Sequence, residues 1–492
     1  MSKPDILMFM TDQHTPYYSD YYGHNVDTPF LDYIAENGTS FDEAYTVCPL
    51  CVPARCSFVT AKRPAETGCF GNSDPFSDLT PTFMNYLVAE GYETVLVGRM
   101  HFVGPQQKHG FTKRIFPDCT TISYVRDNKD KVRGVYESVY GGFKNTNLVG
   151  GGDSSSSYYD QQVVNKAIEY LSEPHDKPQF IVVSIYSPHH PYVGKKELYE
   201  KYHDKVVLPQ TFERHYDYKQ WEYMYRDSVS EQLGKDILAA YCAMVETVNN
   251  QAESVFKAFE EYCNKKNSEK LFVYFSDHGD HLGDRRGYGK TTYYEKSAKI
   301  PLLFYGDNIE KGHKVKTAAS IMDIGPTILD FIGADPMIDV DGVSMAPALK
   351  GQEVEDHPVY AEEMYGFKEV TYGFMLKYRQ YKYMIMMDEQ KELLFDTVND
   401  PDEINNLIEK EPEKAEMMRN LAKENMQEQK ATAAYKESNW KRRLWAAYDK
   451  ATGAPYNEEN AFNGPVPEHY LEDPEIKSEF ATNLDNPKFF KL

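Results

Sequence analysis

In the run Cys51-Val52-Pro53-Ala54-Arg55, a sulfur stands two residues before a proline and four before a guanidinium. If the segment past Pro53 is helical, Cys51 lies at the helix N-terminus and Arg55 one turn on, along the same face. A helix start attracts anions through its unpaired amide N–H groups. Nucleophile, cation and anion-binding dipole would then share one place, although an isolated run of this kind is more often a short apolar turn with a buried cysteine. Other residues of fitting type follow short apolar runs. Asp12, with Gln13 beside it, closes Ile6 to Met10, and Asp277 with His278 closes Leu271 to Phe275. Arg99 and His101 follow Thr94 to Val97, and His189 follows Phe180 to Ile185 within Pro188-His189-His190-Pro191. Lys290 ends a glycine-rich segment. Two carboxylates and an imidazole suit a hard divalent cation. Neighbours on a strand point opposite ways, so Asp277 and His278 can both ligate only from the turn beyond it. Each histidine, arginine or lysine is weak alone, and their shared position after successive strands lifts the group.

The elements that must hold these groups alternate between strand and helix. The pattern predicts strands at Ile6–Met10, Thr94–Val97, Phe180–Ile185, Leu271–Phe275 and Ile300–Phe304. Helices are expected at Pro29–Glu36, Pro81–Glu90, Gln161–Leu171, Glu231–Tyr262 and Ile321–Ile332. Apolar strands alternating with helices argue an α/β fold around a large, mostly parallel mixed sheet. Such sheets place ligands at the carboxyl ends of their strands. After Pro347 the pattern changes to antiparallel strands at Val359–Tyr360, Thr371–Tyr378 and Tyr381–Met387. A charged helix from Asp400 through Glu428 is expected next, with Asp400 as its cap, Pro401 in its first turn and Glu403 three residues on. The division is thus a catalytic body over 1–350, a smaller antiparallel-sheet-and-helix subdomain over 351–433, and an extension over 434–492. That extension, with Trp440 and Trp445 and little periodicity, is read as packed on the body or on a neighbouring subunit, so a homo-oligomer is possible.

The 492 residues suffice for a large core plus a second, smaller unit. A net charge of −22 repels nucleic acid and anionic membranes, so an anionic substrate must be collected by a local cationic site. No run of 18 apolar residues spans a membrane. The early residues carry no signal-peptide pattern, so the cytoplasm is the expected compartment. Cys48 and Cys51 form a CxxC, but no second pair follows, which makes redox or zinc chemistry a poor reading of the seven cysteines.

The motifs, taken together, resemble the type I sulfatases of the alkaline-phosphatase superfamily from Asp5 to about Leu407. The likeness rests on Met10-Thr11-Asp12-Gln13, the Cys51 run continued to Thr60-Ala61, and Gly98-Arg99-Met100-His101-Phe102-Val103-Gly104. It extends to Pro188-His189-His190-Pro191-Tyr192, Asp277-His278-Gly279-Asp280, Gly289-Lys290, and Leu394-Phe395-Asp396 with Asn399 to Glu403. The context of His101 to Pro105 and of His109-Gly110-Phe111 is most similar to the choline-sulfatase and phosphonate monoester hydrolase branch.

This resemblance implies a hydrolase of sulfate monoesters whose substrate is a small alcohol, aryl compound or sugar. It implies that Cys51 is oxidised to formylglycine by a maturation enzyme and that the hydrated aldehyde supplies the attacking hydroxyl. Asp12, Asp277 and His278 with residue 51, and Gln13 as a further candidate ligand, would hold one divalent cation, Ca2+ as first choice and Mn2+ as second. Arg55 would support the nucleophile. Lys290 and His189 would bind the sulfate and help protonate the leaving alcohol. His101 would take the proton of the remaining hydroxyl, releasing sulfate and restoring the aldehyde. Two departures stand out: Arg99 replaces the usual lysine, with a different reach and hydrogen-bond fork, and Gln13 replaces an aspartate found in many relatives. A phosphonate monoester or phosphodiester hydrolase is the alternative, and a non-catalytic binder of sulfated ligands a third reading.

Overall fold

The computed structural model describes residues 3–23, 25–120, 124, 149–365 and 370–452. Its central sheet has eight strands in the spatial order His313–Val315, Thr39–Phe41, Leu302–Gly306, Lys270–Ser276, Asp5–Asp12, Gln179–Pro188, Glu93–Gly98 and Lys113–Phe116. Leu302–Gly306 runs antiparallel to both of its neighbours, and the other ladders are parallel. Asp5–Asp12 shows why the strands read as unbroken apolar runs. Ile6, Met8 and Met10 enter a core with Val52, Phe58 and Phe83 on one face of the sheet. Leu7 and Phe9 enter another with Leu31, Val163 and Phe256 on the opposite face. A strand covered on both sides needs no polar alternation.

Helices Cys51–Thr60, Phe83–Ala89 and Ile324–Phe331 cover the first face, and Pro29–Asn37, Ser155–Ser172 and Glu231–Lys266 the second. Ser155–Ser172 begins six residues before the expected Gln161, because the Ser154 hydroxyl accepts from Ser157 N at 3.2 Å and caps a turn that carries no apolar signal. Phe83–Ala89 begins two residues late, after Thr82, whose own N–H donates to Asn85 Oδ1 at 2.9 Å. Among the described residues no helix is long and apolar enough to cross a membrane.

A second, antiparallel sheet follows, with Val359–Tyr365, Thr371–Tyr378, Tyr381–Met386 and Lys391–Asp396 in that order. The fourth strand is absent from the sequence reading. The expected helix from Asp400 does not form there. Glu403 takes a left-handed backbone (φ 52°) and turns inward, where it meets Lys382 Nζ at 2.6 Å and accepts from Glu295 N at 2.7 Å. The Asp400 carboxylate instead accepts from Ile404 N and Asn405 N, and the helix starts at Pro412, running to Asn425. A tertiary ion pair has overridden a good local cap. The extension is more regular than expected: Glu428–Thr452 is one helix, packed through Ala431, Ala434 and Tyr435 on the second sheet. Residues 453–492 lie outside the described ones.

Candidate active site

The parallel ladders bring the carboxyl ends of Asp5–Asp12, Lys270–Ser276, Gln179–Pro188 and Glu93–Gly98 to one edge of the sheet. Asp12, Asp277, His189 and Arg99 lie at or just past those ends. Gly98 makes the last exit possible. Its φ is 95°, and a Cβ there would sit 2.3 Å from the Ser184 carbonyl oxygen. Arg99 N then donates to that same oxygen at 2.9 Å, which anchors the turn.

Cys51 is the first residue of the helix Cys51–Thr60, all ten residues of which are buried. Its Sγ is 3.3 Å from His278 Nε2, 3.4 Å from Lys290 Nζ and 3.9 Å from Asp12 Oδ1. Asp12, Cys51, Asp277 and His278 each offer a ligand atom within 4.8 Å of the others, all buried. This donor set fits a divalent cation: two carboxylates carry the charge, and buried carboxylates are otherwise costly to keep together. Gln13 adjoins that group through Lys290. Its Oε1 accepts from Lys290 Nζ at 2.7 Å and its Nε2 donates to Asp280.

Arg55 ties the two carboxylates together, with Nε 2.9 Å from Asp277 Oδ2 and Nη2 3.0 Å from Asp12 Oδ2. Its Nη1 donates to the Arg99 carbonyl and to Ser184 Oγ, both at 3.1 Å. Arg99 also reaches Asp12 Oδ2, lies over the Tyr186 ring at 5.2 Å, and donates Nη2–H to His101 Nδ1 at 2.9 Å. A guanidinium only donates, so Nδ1 accepts and Nε2 carries the neutral ring's proton. For His101 to take up a further proton, the Arg99 contact must open. His189 Nε2 lies 4.0 Å from Asp12 Oδ1.

Burial raises the Asp12 carboxyl, yet Arg99, His189, Arg55 and Lys290 outweigh it and hold the group well below the usual carboxylate range. Burial followed by Arg99 pushes His101 down, and burial followed by Lys290 pushes His189 down. Burial and the Asp12 carboxylate push the Cys51 thiol up against Lys290 and Arg99. A thiol held protonated is a poor nucleophile. Around Cys51 three permanent cations, Arg55, Arg99 and Lys290, face two carboxylates, Asp12 and Asp277. The site carries surplus positive charge even without a metal.

Several supporting residues had no legible signal. Asp118 accepts from Met100 N at 2.9 Å and His101 N at 2.6 Å, fixing that turn from a distant loop. Asp160 accepts from Tyr186 N and Ser187 N ahead of His189, and burial lifts its carboxyl to about 7. Asp280 was visible as the end of Asp277-His278-Gly279-Asp280, but its work was not. It accepts from Gln13 Nε2, from Tyr192 OH at 2.8 Å and from Gly289 N at 2.8 Å, locking three loops together. Cys48 Sγ turns to Glu363 Oε1 at 3.4 Å, and all seven cysteines are free. The paired tyrosines Tyr17-Tyr18 and Tyr21-Tyr22 line a separate cleft of about 880 Å³.

The family model described as Sulfatase matches residues 4–334, two thirds of the chain. The chain belongs to the sulfatase family. A second model, N-sulphoglucosamine sulphohydrolase C-terminal, matches 283–432. The choline-sulfatase of Rhizobium meliloti is 29% identical over 442 residues, covering 83% of each chain. An arylsulfatase of Clostridium perfringens is 27% identical over 458 residues, covering 83% of this chain and 91% of its own. The crystal structure of a phosphonate monoester hydrolase of Agrobacterium radiobacter superposes with a TM-score of 0.69 at 19% identity, over 86% of this chain and 94% of that one, which shows a shared fold. This sulfatase is thus a hydrolase of sulfate esters with a buried, metal-compatible cluster at the expected strand ends.

Proposed function

We propose that this sulfatase works through a formylglycine made from Cys51 and hydrolyses a small sulfate monoester of an alcohol, aryl compound or sugar. The observation that carries the reading is the placement of Cys51 Sγ. It sits at a helix N-terminus, against His278 and Lys290, inside a ring with surplus positive charge. An unmodified thiol held protonated there serves poorly. Oxidation to the aldehyde removes about 18 Da and, on hydration, puts an oxygen nucleophile at the same point. The choline-sulfatase and arylsulfatase likenesses support a small leaving alcohol.

Asp12, Asp277 and His278 would hold the cation, with residue 51; Ca2+ is our first assignment and Mn2+ the second. When bound, the cation supplies Lewis-acid charge to the nucleophile and the sulfuryl oxygens. Arg55 keeps both carboxylates aligned. Lys290 and His189 bind the sulfuryl oxygens and pass a proton to the leaving oxygen, while His101, released by Arg99, takes the proton of the remaining hydroxyl. We assign residues 1–350 to the catalytic body, 351–433 to the smaller subdomain and 434–492 to an extension packed on the body or on a neighbouring subunit. A maturation enzyme is implied by the modification. We place the working protein in the cytoplasm, a reading supported by its seven unpaired thiols.

The test is paired. Intact mass of protein co-expressed with a formylglycine-generating enzyme should show the loss at Cys51. The same sample should release sulfate from a nitrophenyl sulfate faster than it cleaves a phenyl phosphonate monoester. Preference for the phosphonate would move the assignment to the alternative hydrolase, and an active Cys51→Ala protein would end it.

A further inference from the structure

The helix Glu428–Thr452 has two unlike faces. Ala431, Ala434 and Tyr435 pack inward, and Tyr435 meets Phe70 edge-on with ring centres 6.0 Å apart. Lys430 pairs with Glu66, and Arg442 lies 3.6 Å from Asp74. The outer face carries Trp440, Leu444 and Tyr448 at i, i+4 and i+8, with Trp445 at its flank. They are 61%, 51%, 57% and 48% exposed. Scattered exposed apolar residues are ordinary on a soluble protein, but four in one helical stripe mark a contact surface. Beside the stripe lies a groove of about 630 Å³ lined by Phe76, Val103, Tyr124, Lys441, Trp445 and Tyr448. Tyr124 stacks on Trp445 at 6.1 Å, and Trp445 meets Tyr448 edge-on at 5.9 Å.

We propose that residues 453–492 of the same chain dock on this stripe and groove. Three observations single out this occupant. Continuity is the first: residue 453 directly follows Thr452, about 18 Å along the helix axis from Trp440. The 40 remaining residues can span at most about 130 Å, ample to fold back. Charge is the second. Of the six Lys or Arg on the helix, Lys430, Lys441 and Arg442 are paired with Glu66, Glu437 and Asp74, which leaves Lys436, Arg443 and Lys450 to meet a tail of eight Asp or Glu against three Lys. Those cations can draw the acidic tail to the helix, whereas the groove itself is rimmed by Glu66, Asp78, Glu437 and Asp449 and is left for the tail's apolar residues. Composition is the third: Phe462, Tyr470, Phe480, Phe489 and Phe490 are spaced through the tail and can supply apolar partners for the stripe. Tethering also favours the chain's own tail, because a short link gives an effective concentration near the millimolar range. The groove includes Val103, two residues beyond His101, so the seated tail borders the loop that carries that histidine.

The chain has three tryptophans, and the third, Trp221, is fully buried, so acrylamide quenching reads the stripe almost alone. The experiment uses full-length protein with a protease site inserted between Thr452 and Gly453, folded first and cut afterwards. Cutting, followed by removal of the fragment in 0.5 M salt, should raise the quenching constant about threefold as Trp440 and Trp445 become uncovered. In the uncut Lys436→Glu/Arg443→Glu protein, a partial rise is expected without cleavage, with an unchanged circular-dichroism melt as the folding control. Equal quenching before and after removal would overturn the proposal. Protection that is lost on dilution to nanomolar protein would also overturn it, because the cover would then be a second copy.

Discussion

Two buried charge networks lie in this molecule, and they are built to opposite ends. One joins the large sheet to the small one: Glu43, Glu295 and Glu403 face Lys299, Lys377 and Lys382. Lys382 lies 2.8 Å from Glu295 and 2.6 Å from Glu403, Lys299 2.7 Å from Glu43, and Lys377 3.0 Å from Glu43. Three acids meet three bases, and the Tyr17 and Tyr45 hydroxyls donate to the Glu295 carboxylate at 3.2 Å each. The other network surrounds Cys51 and does not balance, because Lys290 is aimed at a sulfur and Arg99 at an imidazole as well as at a shared carboxylate. Balanced burial holds two layers in register. Unbalanced burial stores attraction for an anion that the fold itself does not supply.

The sharpest break in that contrast is Cys51→Ala in matured protein. Sulfate release should fall by at least about 10³-fold while the melting temperature stays within a few degrees, measured by sulfate assay and calorimetry. Next is Lys382→Met, which leaves Glu295 and Glu403 facing each other. It should cost about 3–5 kcal/mol in denaturant unfolding yet leave kcat of the folded fraction nearly unchanged. Chelation comes third: a strong chelator should lower activity by about tenfold or more, and Ca2+ or Mn2+ added back singly will rank the two ions. Arg99→Lys should then lower kcat by roughly tenfold with a smaller change in KM, because the fork that serves Asp12 and His101 together is lost.

The smallest effect belongs to Glu363, whose carboxyl burial lifts to about 8 from an ordinary 4.5. A folded value above the unfolded one means that the folded chain binds the proton more tightly. The contribution is therefore complete below about pH 4.5 and lost as pH rises toward 8. Glu363→Gln should flatten this slope, raising stability by about 1 kcal/mol at pH 8.5 with little change at pH 5, as read from urea midpoints.

The active-site half of the contrast was largely legible in sequence and the interface half was not. Asp12, Asp277, His189 and Arg99 follow apolar runs, and a strand buried on both faces announces both itself and the residue at its end. Cys51 was legible because proline and arginine stand at fixed offsets from it. Asp118 and Asp160 act by accepting backbone N–H groups from other segments of the chain, a role that leaves no local spacing. Glu403 misled, since Asp-Pro-Asp-Glu is a sound helix start, and Lys382, twenty-one residues earlier in the chain, together with the still more distant Glu295 N–H, says otherwise. The last helix escaped because its inward face, with Ala431, Ala434 and Ser438 around Tyr435, is mostly too small or polar to register as an apolar stripe, while Trp440, Leu444, Trp445 and Tyr448 face out. Lys391–Asp396 escaped because its charged start, Lys391 and Glu392, leaves only Leu393 to Phe395 as an apolar run.

The surplus of cations around Cys51 also governs how a turnover ends. Cleaving a sulfate monoester converts a singly charged group into a doubly charged ion, and Coulomb attraction to Arg55, Arg99 and Lys290 grows with that charge. The pocket that welcomes the ester therefore clings harder to what is left of it. Free sulfate, or any tetrahedral dianion of similar size, is expected to act as a competitive brake, and because these cations are buried, added salt should relieve it little.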